Sequence, residues 1–172
     1  MDDSLPEIDR IEARTWIYPT NYEVREYQRA IAERALYDNT LVSLPTGMGK
    51  TLIAAVVMNA YYRWFPQGKV VFLGPTKPLV TQQMEAVQKS VAFRMSDIAH
   101  MDGSVDAVKR ASLWRDRRIF FCTPQCFGND IKSGGCNARK IVCVVFDEVC
   151  DFLSFYRLDV CTLAIILSLT LI

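Results

Sequence analysis

The sequence predicts an α/β fold in which a mainly parallel sheet is covered by helices on both faces. Short apolar runs alternate with longer segments of helical periodicity, as in strands joined by crossover helices. The apolar runs are continuous, as expected for strands buried on both sides. With 172 residues, the chain is long enough for one well-buried domain.

The elements follow in regular order. Thr20-Asn21-Tyr22-Glu23 has capping-box spacing and predicts a helix that continues to about Leu36, with Tyr27, Ile31 and Ala35 on one face. A buried strand is expected over residues 40–43. Further helices are predicted over residues 51–64, 79–91 and 105–114 and after Pro124, and further strands over 69–73, near 98, over 118–122 and over 140–146.

Composition limits the class of protein. Twenty basic and nineteen acidic side chains leave a net charge of +1, which neither indicates nor excludes contact with nucleic acid. The acidic start has no apolar core, so no secretory signal is expected, and residues 1–18 are interpreted as a loosely held polar lead-in. Six cysteines without CxxC spacing, beside one histidine, indicate reduced, buried thiols in an intracellular protein rather than a zinc site.

A glycine-rich segment, residues 44–51 (Leu-Pro-Thr-Gly-Met-Gly-Lys-Thr), lies between a predicted strand and a predicted helix. We call it the P-loop. Its glycines would let backbone N–H groups surround phosphate oxygens, Lys50 would reach the β- and γ-phosphates, and the Thr51 hydroxyl would ligate Mg²⁺. Leu44 stands where the strict pattern has glycine. The segment predicts an ATP-binding RecA-like domain with nucleotide contacts from Thr46, Gly47, Met48, Gly49, Lys50 and Thr51.

An acidic pair, Asp147-Glu148, follows the last predicted strand of this alternating pattern. In P-loop NTPases a strand-end aspartate holds Mg²⁺. The neighbouring glutamate is placed to orient or deprotonate the attacking water. We therefore assign Asp147 with Thr51 to the metal, and Glu148 with Lys50 to catalysis.

Two other segments also follow predicted strands: Pro75-Thr76-Lys77-Pro78 and Thr123-Pro124-Gln125. They place hydroxyls, a lysine and helix N-termini at the carboxyl edge of the sheet. Such groups suit contacts to a nucleic-acid backbone, although each segment alone is a weak indication.

In this order, the P-loop, these two segments and the acidic pair resemble the first motor domain of superfamily 2 helicases. Arg25-Glu26-Tyr27-Gln28 is similar to the Q motif of that superfamily, which implies that Gln28 contacts adenine. The stretches at 14–22, 44–51, 54–58, 62–66 and 75–83 resemble the Fanconi anaemia group M helicases and their archaeal Hef-type relatives. The resemblance covers about residues 14–148, and residues 19–150 are interpreted as the helicase ATP-binding domain.

The resemblance implies an ATP-dependent DNA translocase that uses Mg²⁺, works in the nucleus and remodels branched DNA and stalled forks during DNA repair. It further implies that Thr76, Lys77 and Thr123 contact the DNA backbone. An RNA-directed superfamily 2 relative is the alternative within the enzyme class, and the residues at 14–22 argue against it.

The chain departs from the family at its end. The family motif Asp-Glu-Ala-His is here Asp147-Glu148-Val149-Cys150, which predicts altered coupling because a thiol is a weak hydrogen-bonding group. Residues 151–172 form an apolar tail without family resemblance. The charge-free part, residues 160–172, is shorter than the ~20 residues of a membrane span and is expected to be a buried strand or helix end.

We therefore expect a truncated product, ending after the acidic motif and without the second motor domain. Such a chain should bind nucleotide, hydrolyse it slowly and unwind nothing. A non-catalytic isoform that occupies DNA or a partner, and a product made unstable by its apolar tail, are the alternatives.

Three smaller groups are interpreted structurally. The aromatic residues near the end of the helix over 51–64 are expected in the core, and His100 is expected to be structural. The main basic cluster is expected to be a solvated helix surface rather than a DNA site; it comprises Lys109, Arg110, Arg115, Arg117 and Arg118.

Overall fold

One six-stranded sheet organises the protein in the computed structural model, which describes residues 4–147 and the backbone of residues 162–167. The spatial order of the strands is β1-β6-β5-β2-β4-β3. Strands β5, β2, β4 and β3 are parallel neighbours, and β6 runs antiparallel to both β1 and β5. The strands are β1 (Thr40–Ser43), β2 (Lys69–Leu73), β3 (Ile98–Met101), β4 (Ile119–Cys122), β5 (Ile141–Asp147) and β6 (Thr162–Leu167).

Helices connect consecutive strands from β1 to β5, which gives the crossover pattern of a parallel sheet. The helix α1 precedes β1, and the helices α2 to α5 fill the four crossovers. Their bounds are α1 (Glu26–Ala35), α2 (Lys50–Trp64), α3 (Lys77–Ser90), α4 (Ala107–Asp116) and α5 (Pro124–Lys132). The order and type of these elements confirm the predicted α/β fold.

The sheet is covered on both faces. Alternate strand residues such as Val70 and Phe72 join one core cluster with α1, α2 and α3. Their neighbours Val71 and Leu73 join a second cluster with α4 and α5. Because side chains alternate between the two faces of a strand, the two clusters are the two faces of the sheet.

The prediction for α1 was wrong at its start. The helix begins at Glu26, after an extended Arg25, and not at the capping box at Thr20. The segment before it instead contacts the end of α3: the Asn21 side chain donates to the Lys89 carbonyl at 3.5 Å, and Ser90 donates to the Tyr22 hydroxyl at 3.3 Å. Of the predicted face, Ala35 is buried and Ile31 packs against the core, whereas Gln28 and Ala32, which were not predicted on that face, are buried beside them.

Strand β1 is less buried than expected. Val42 is buried, whereas Leu41 is 61% exposed, because β1 lies at one edge of the described sheet. The lead-in is also more closely attached than its polarity suggests. The Asp9 amide donates to the Trp64 carbonyl at 2.7 Å, and the Trp64 indole donates to the Thr15 carbonyl at 3.0 Å.

The aromatic residues at the end of α2 lie in or against the core, as expected. The basic cluster is mixed. Lys109 and Arg115 are exposed, whereas Arg110 pairs with buried Asp130 and Arg118 lies over the Tyr62 ring at 4.0 Å. The interpretation as a solvated surface was therefore wrong for Arg110 and Arg118.

The cysteines that the structure describes are free and buried: Cys122, Cys126, Cys136 and Cys143. Burial raises the pKa of the Cys136 thiol to about 12, which keeps it protonated. Among the helices of the described residues, none is long and apolar enough to cross a membrane.

Candidate nucleotide-binding site

The P-loop joins the end of β1 to the start of α2. Gly47 and Gly49 have φ angles of 82° and 79°, in the left-handed region that glycine adopts without strain. Gly49 directly precedes α2, and no side chain of the described residues caps that helix end. The first N–H groups of α2 are therefore available to an anion, and the helix dipole favours negative charge there.

Lys50 folds back over this loop. Its ammonium donates to the carbonyl oxygens of Leu44 at 2.7 Å and Pro45 at 3.3 Å. An ammonium has three N–H donors, so its position at the mouth of the loop permits a bond to a phosphate oxygen as well. The glycines, the helix end and this cation together form an arrangement suited to a polyphosphate.

Gln28 lies against the P-loop and is only 4% exposed. Its amide nitrogen donates to the Met48 carbonyl at 2.9 Å, and its amide oxygen accepts from the Tyr18 hydroxyl at 3.4 Å. The Tyr27 hydroxyl donates to the same Met48 oxygen at 3.1 Å. The structure therefore brings the Q-motif glutamine to the loop, while its contact with adenine stays a prediction.

Sequence reasoning missed the contribution of Tyr27 and Tyr18 to this loop. Tyr27 lies inside the stretch that resembles the Q motif and was interpreted as a residue of the packing face. The local sequence around Tyr27 cannot show that its hydroxyl reaches the carbonyl of Met48, 21 residues further along the chain.

Thr51 lies in the first turn of α2, and its hydroxyl donates to the Gln83 amide oxygen of α3 at 2.8 Å. Gln83 lies in the stretch that resembles the family, but no role was predicted for it. The bond connects the predicted Mg²⁺ ligand to the middle of a neighbouring helix.

Asp147 is the last residue of β5 and lies at the same sheet edge as the P-loop. Ser43 pairs with Thr162 and Asp147 pairs with Leu163, so β6 separates the two strands at this level. Two strand spacings correspond to about 10 Å. The predicted catalytic Glu148 lies outside the described residues.

The predicted nucleic-acid contacts also collect at this edge. Thr76 precedes α3 and Thr123 precedes α5, and the preceding strand ends are neighbours because Leu73 pairs with Cys122. Thr76 is exposed, whereas Thr123 uses its oxygen to accept from the Cys126 amide at 3.4 Å.

Lys77 forms an ion pair with Asp102 from the β3–α4 connection, with 3.3 Å between its ammonium nitrogen and the carboxylate. Hydrogen bonds from Ser104, with a smaller contribution from Lys77, lower the pKa of Asp102 to about 2. The carboxylate of Asp102 therefore lies beside the groups that are proposed to contact phosphate. The sequence did not indicate this acidic neighbour.

The site residues fit ATP and Mg²⁺ on two observations. The start of α2, which no side chain of the described residues caps, and the left-handed glycines suit phosphate oxygens. The Thr51 hydroxyl, while donating to Gln83, keeps oxygen lone pairs for a hard cation. Asp147 adds a carboxylate at the same edge.

Comparisons with known proteins identify the family. A family model described as DEAD/DEAH box helicase matches residues 25–167. The Fanconi anemia group M protein homolog of Mus musculus is 55% identical over 141 residues, which cover 82% of this chain and 7% of that protein. The DEAD-box ATP-dependent RNA helicase FANCM of Arabidopsis thaliana is 53% identical over 82% of this chain and 11% of its own length. The ATP-dependent DNA helicase fml1 of Schizosaccharomyces pombe is 50% identical over 83% of this chain and 17% of its length.

Solved structures share the fold. The Hef helicase domain of Pyrococcus furiosus superposes with a TM-score of 0.72 at 29% identity, over 83% of this chain and 30% of that one. The UvsW helicase of bacteriophage T4 has a TM-score of 0.62 at 20% identity, over 86% of this chain and 53% of that one, and supports the fold alone. The present chain spans less than a fifth of the length of these three curated relatives. The matched region includes all of α1, the P-loop and the whole described sheet, and the chain belongs to the DEAD/DEAH box helicase family.

Proposed function

We propose that this chain is the ATP-binding motor domain of a DNA helicase or translocase that acts on branched or fork DNA during DNA repair in the nucleus. The observation that carries the proposal is the P-loop geometry: Gly49 is left-handed, no side chain in the described part of the chain caps the start of α2, and the Lys50 ammonium lies over the loop. Family membership selects a helicase motor among the proteins that such a loop could serve.

Each residue has a defined task in this proposal. Lys50 donates its third N–H to a phosphate oxygen and neutralises negative charge. Thr51 and Asp147 hold Mg²⁺, which supplies charge neutralisation at the phosphates when bound. Glu148 orients the attacking water as a general base.

DNA is proposed to lie across the edge formed by Thr76, Lys77 and Thr123. Thr76 and Thr123 directly precede helices, and Lys77 is the first residue of α3. The N-terminal N–H groups of helices favour phosphate. The names of the relatives differ, since the fml1 protein is called a DNA helicase and the plant protein an RNA helicase. The residues at 14–22 and the similarity to fml1, which is named a DNA helicase, favour DNA.

We further propose that these 172 residues alone bind nucleotide but turn it over slowly. An arginine supplied to the γ-phosphate contributes ~10³–10⁵ in rate in related NTPases. The chain spans 30% of the Hef helicase-domain chain, and such a group would lie in the remainder of a two-domain motor.

Nucleotide binding tests the first part. Purified protein should bind ATP in the presence of Mg²⁺, and Lys50→Ala should weaken binding by at least tenfold because a charge-assisted phosphate contact of about 1.5–3 kcal/mol is removed. Lys109→Ala, at an exposed position of α4, is the matched control and should bind ATP as the parent does. If Lys50→Ala and Lys109→Ala bind equally well, the P-loop assignment is wrong.

Nucleic-acid binding tests the second part. A fork, a linear duplex, a single strand and an RNA duplex are compared at one salt concentration, because phosphate contacts depend on salt. The fork should bind most tightly, and Lys77→Ala should weaken all DNA binding. Preference for RNA would favour the RNA-directed alternative, and DNA binding without nucleotide binding would favour the non-catalytic interpretation.

A further inference from the structure

The Thr51–Gln83 contact has a chemical consequence for cation binding. Thr51 is the donor, and the acceptor oxygen lies on a different helix, 32 residues along the chain. The α2 and α3 helices pack on the same face of the sheet, so the bond joins two elements that are already held together. Both side chains are half-buried.

The direction of the bond matters. A hydroxyl has one proton to donate and two lone pairs to accept or ligate. While its proton is held by Gln83, the lone pairs of Thr51 are available to a cation. Near the start of a helix, a threonine hydroxyl can instead donate to a backbone carbonyl of the preceding turn, and the Gln83 oxygen competes with that alternative.

We infer that Gln83 is a positioning residue for Mg²⁺–nucleotide binding, acting by holding the Thr51 hydroxyl in its ligating orientation. The inference rests on the proposed function, because it concerns the same cation. Outer partners that orient metal ligands commonly change metal affinity by ~10–100-fold when removed. Gln83 orients Thr51 through its amide oxygen, and an amide group has no proton that titrates near neutral pH.

The position of Gln83 in α3 also connects the proposed cation site to the proposed DNA contact. Lys77, proposed to contact DNA, starts the same helix. Six residues of α-helix correspond to about 9 Å. A rigid helix thus carries the acceptor for the cation ligand at its middle and the nucleic-acid contact at its start.

The test separates cation-dependent binding from binding of the phosphates alone. The affinity for a non-hydrolysable ATP analogue is measured with Mg²⁺ and with EDTA, in the parent, Gln83→Leu, Gln83→Glu and Gln88→Leu. In Gln83→Leu, the gain in analogue affinity that Mg²⁺ provides should be about tenfold smaller than in the parent. The affinity measured in EDTA should be unchanged. Gln83→Glu keeps an acceptor oxygen and should retain the enhancement. Gln88→Leu, further along α3, should match the parent.

A second measurement needs no nucleotide. In a double-mutant cycle on thermal unfolding, Thr51→Val combined with Gln83→Leu should lose no more stability than the more damaging single variant, as expected for partners in one bond. An unchanged Mg²⁺ enhancement in Gln83→Leu, or an equal loss with Mg²⁺ and EDTA, would overturn the inference. Absence of analogue binding in the parent would instead overturn the proposed function, and the inference with it.

Discussion

The amide nitrogen of Gln28 donates to the carbonyl oxygen of Met48 at 2.9 Å, which fixes the P-loop to a buried position of α1. Gly49 leaves the space that this contact needs, because a Cβ at this position would come within 2.1 Å of the same Gln28 nitrogen. The close approach explains why the loop needs glycine at Gly49 for space as well as for its φ angle.

Replacing Gln28 by leucine should affect both stability and base selection. The change removes the bonds to Met48 and Tyr18, whereas Tyr27 still donates to the Met48 carbonyl. The free energy of unfolding should therefore fall by ~0.5–1.5 kcal/mol in urea titration. If Gln28 also contacts adenine, the preference for ATP over GTP should decrease. Gln67→Leu, at an exposed position, is the control. A loss of stability with an unchanged ATP-to-GTP ratio would restrict Gln28 to tethering the loop.

Gly49→Ala should be strongly damaging. An alanine in the left-handed region costs ~1–2 kcal/mol, and its Cβ would displace Gln28 from Met48. Nucleotide binding should be lost together with stability. The contrasting control is Gly128→Ala in α5, where an added Cβ meets nothing within 4 Å and alanine should stabilise the helix by about 0.5–1 kcal/mol. Equal effects of the two substitutions in a denaturant titration would refute this account.

Asp130→Ala should destabilise the second core cluster. The buried carboxylate accepts from the Arg110 guanidinium at 2.8 Å and from the Trp114 indole at 2.9 Å. Removing it leaves a largely buried guanidinium without its carboxylate partner, with an expected cost of ~3–5 kcal/mol. Asp116→Ala, an exposed position on α4, should change stability by less than about 0.5 kcal/mol. A cost for Asp130→Ala as small as that would show that water replaces the carboxylate.

Asp102 should contribute to acid sensitivity. Its pKa is lowered from 3.8 to about 2 in the folded protein, first by hydrogen bonds from Ser104 and then by Lys77. The ionised form therefore stabilises the fold above pH 4, and this contribution is lost as the pH falls toward 2. Asp102→Asn should flatten the stability profile between these values. An unchanged slope in acid titrations of the variant would contradict the assignment.

Local sequence features predicted most of the fold because most helices and strands here are determined by the residues within and directly beside them. Apolar runs gave β2, β4 and β5, and the P-loop was placed correctly since its glycines, lysine and flanking elements are contiguous. The start of α1 was mispredicted because tertiary bonds from Asn21 and Tyr22 to the end of α3 compete with the capping box. Propensity gives way where such partners exist.

The rest of the candidate site depends on contacts between distant segments. Gln83 reaches Thr51, and Asp102 reaches Lys77, only after the helices pack on the sheet. Neither glutamine nor aspartate at such positions has a distinguishing pattern. The pairing of β1 with β6 is equally non-local, and it leaves β1 at one edge of the described sheet, where Leu41 is exposed.

The pairing of β1 with β6 also sets an order of assembly during translation. Ser43 leaves the ribosome early, but its partner Thr162 is synthesised roughly 120 residues later, and such distant pairs form slowly. Within the described sheet, β6 is the strand that joins β1 to β5. The strand that leads into the nucleotide loop is thus made before its partner in the described sheet, and this pairing cannot form until residues 162–167 have been synthesised.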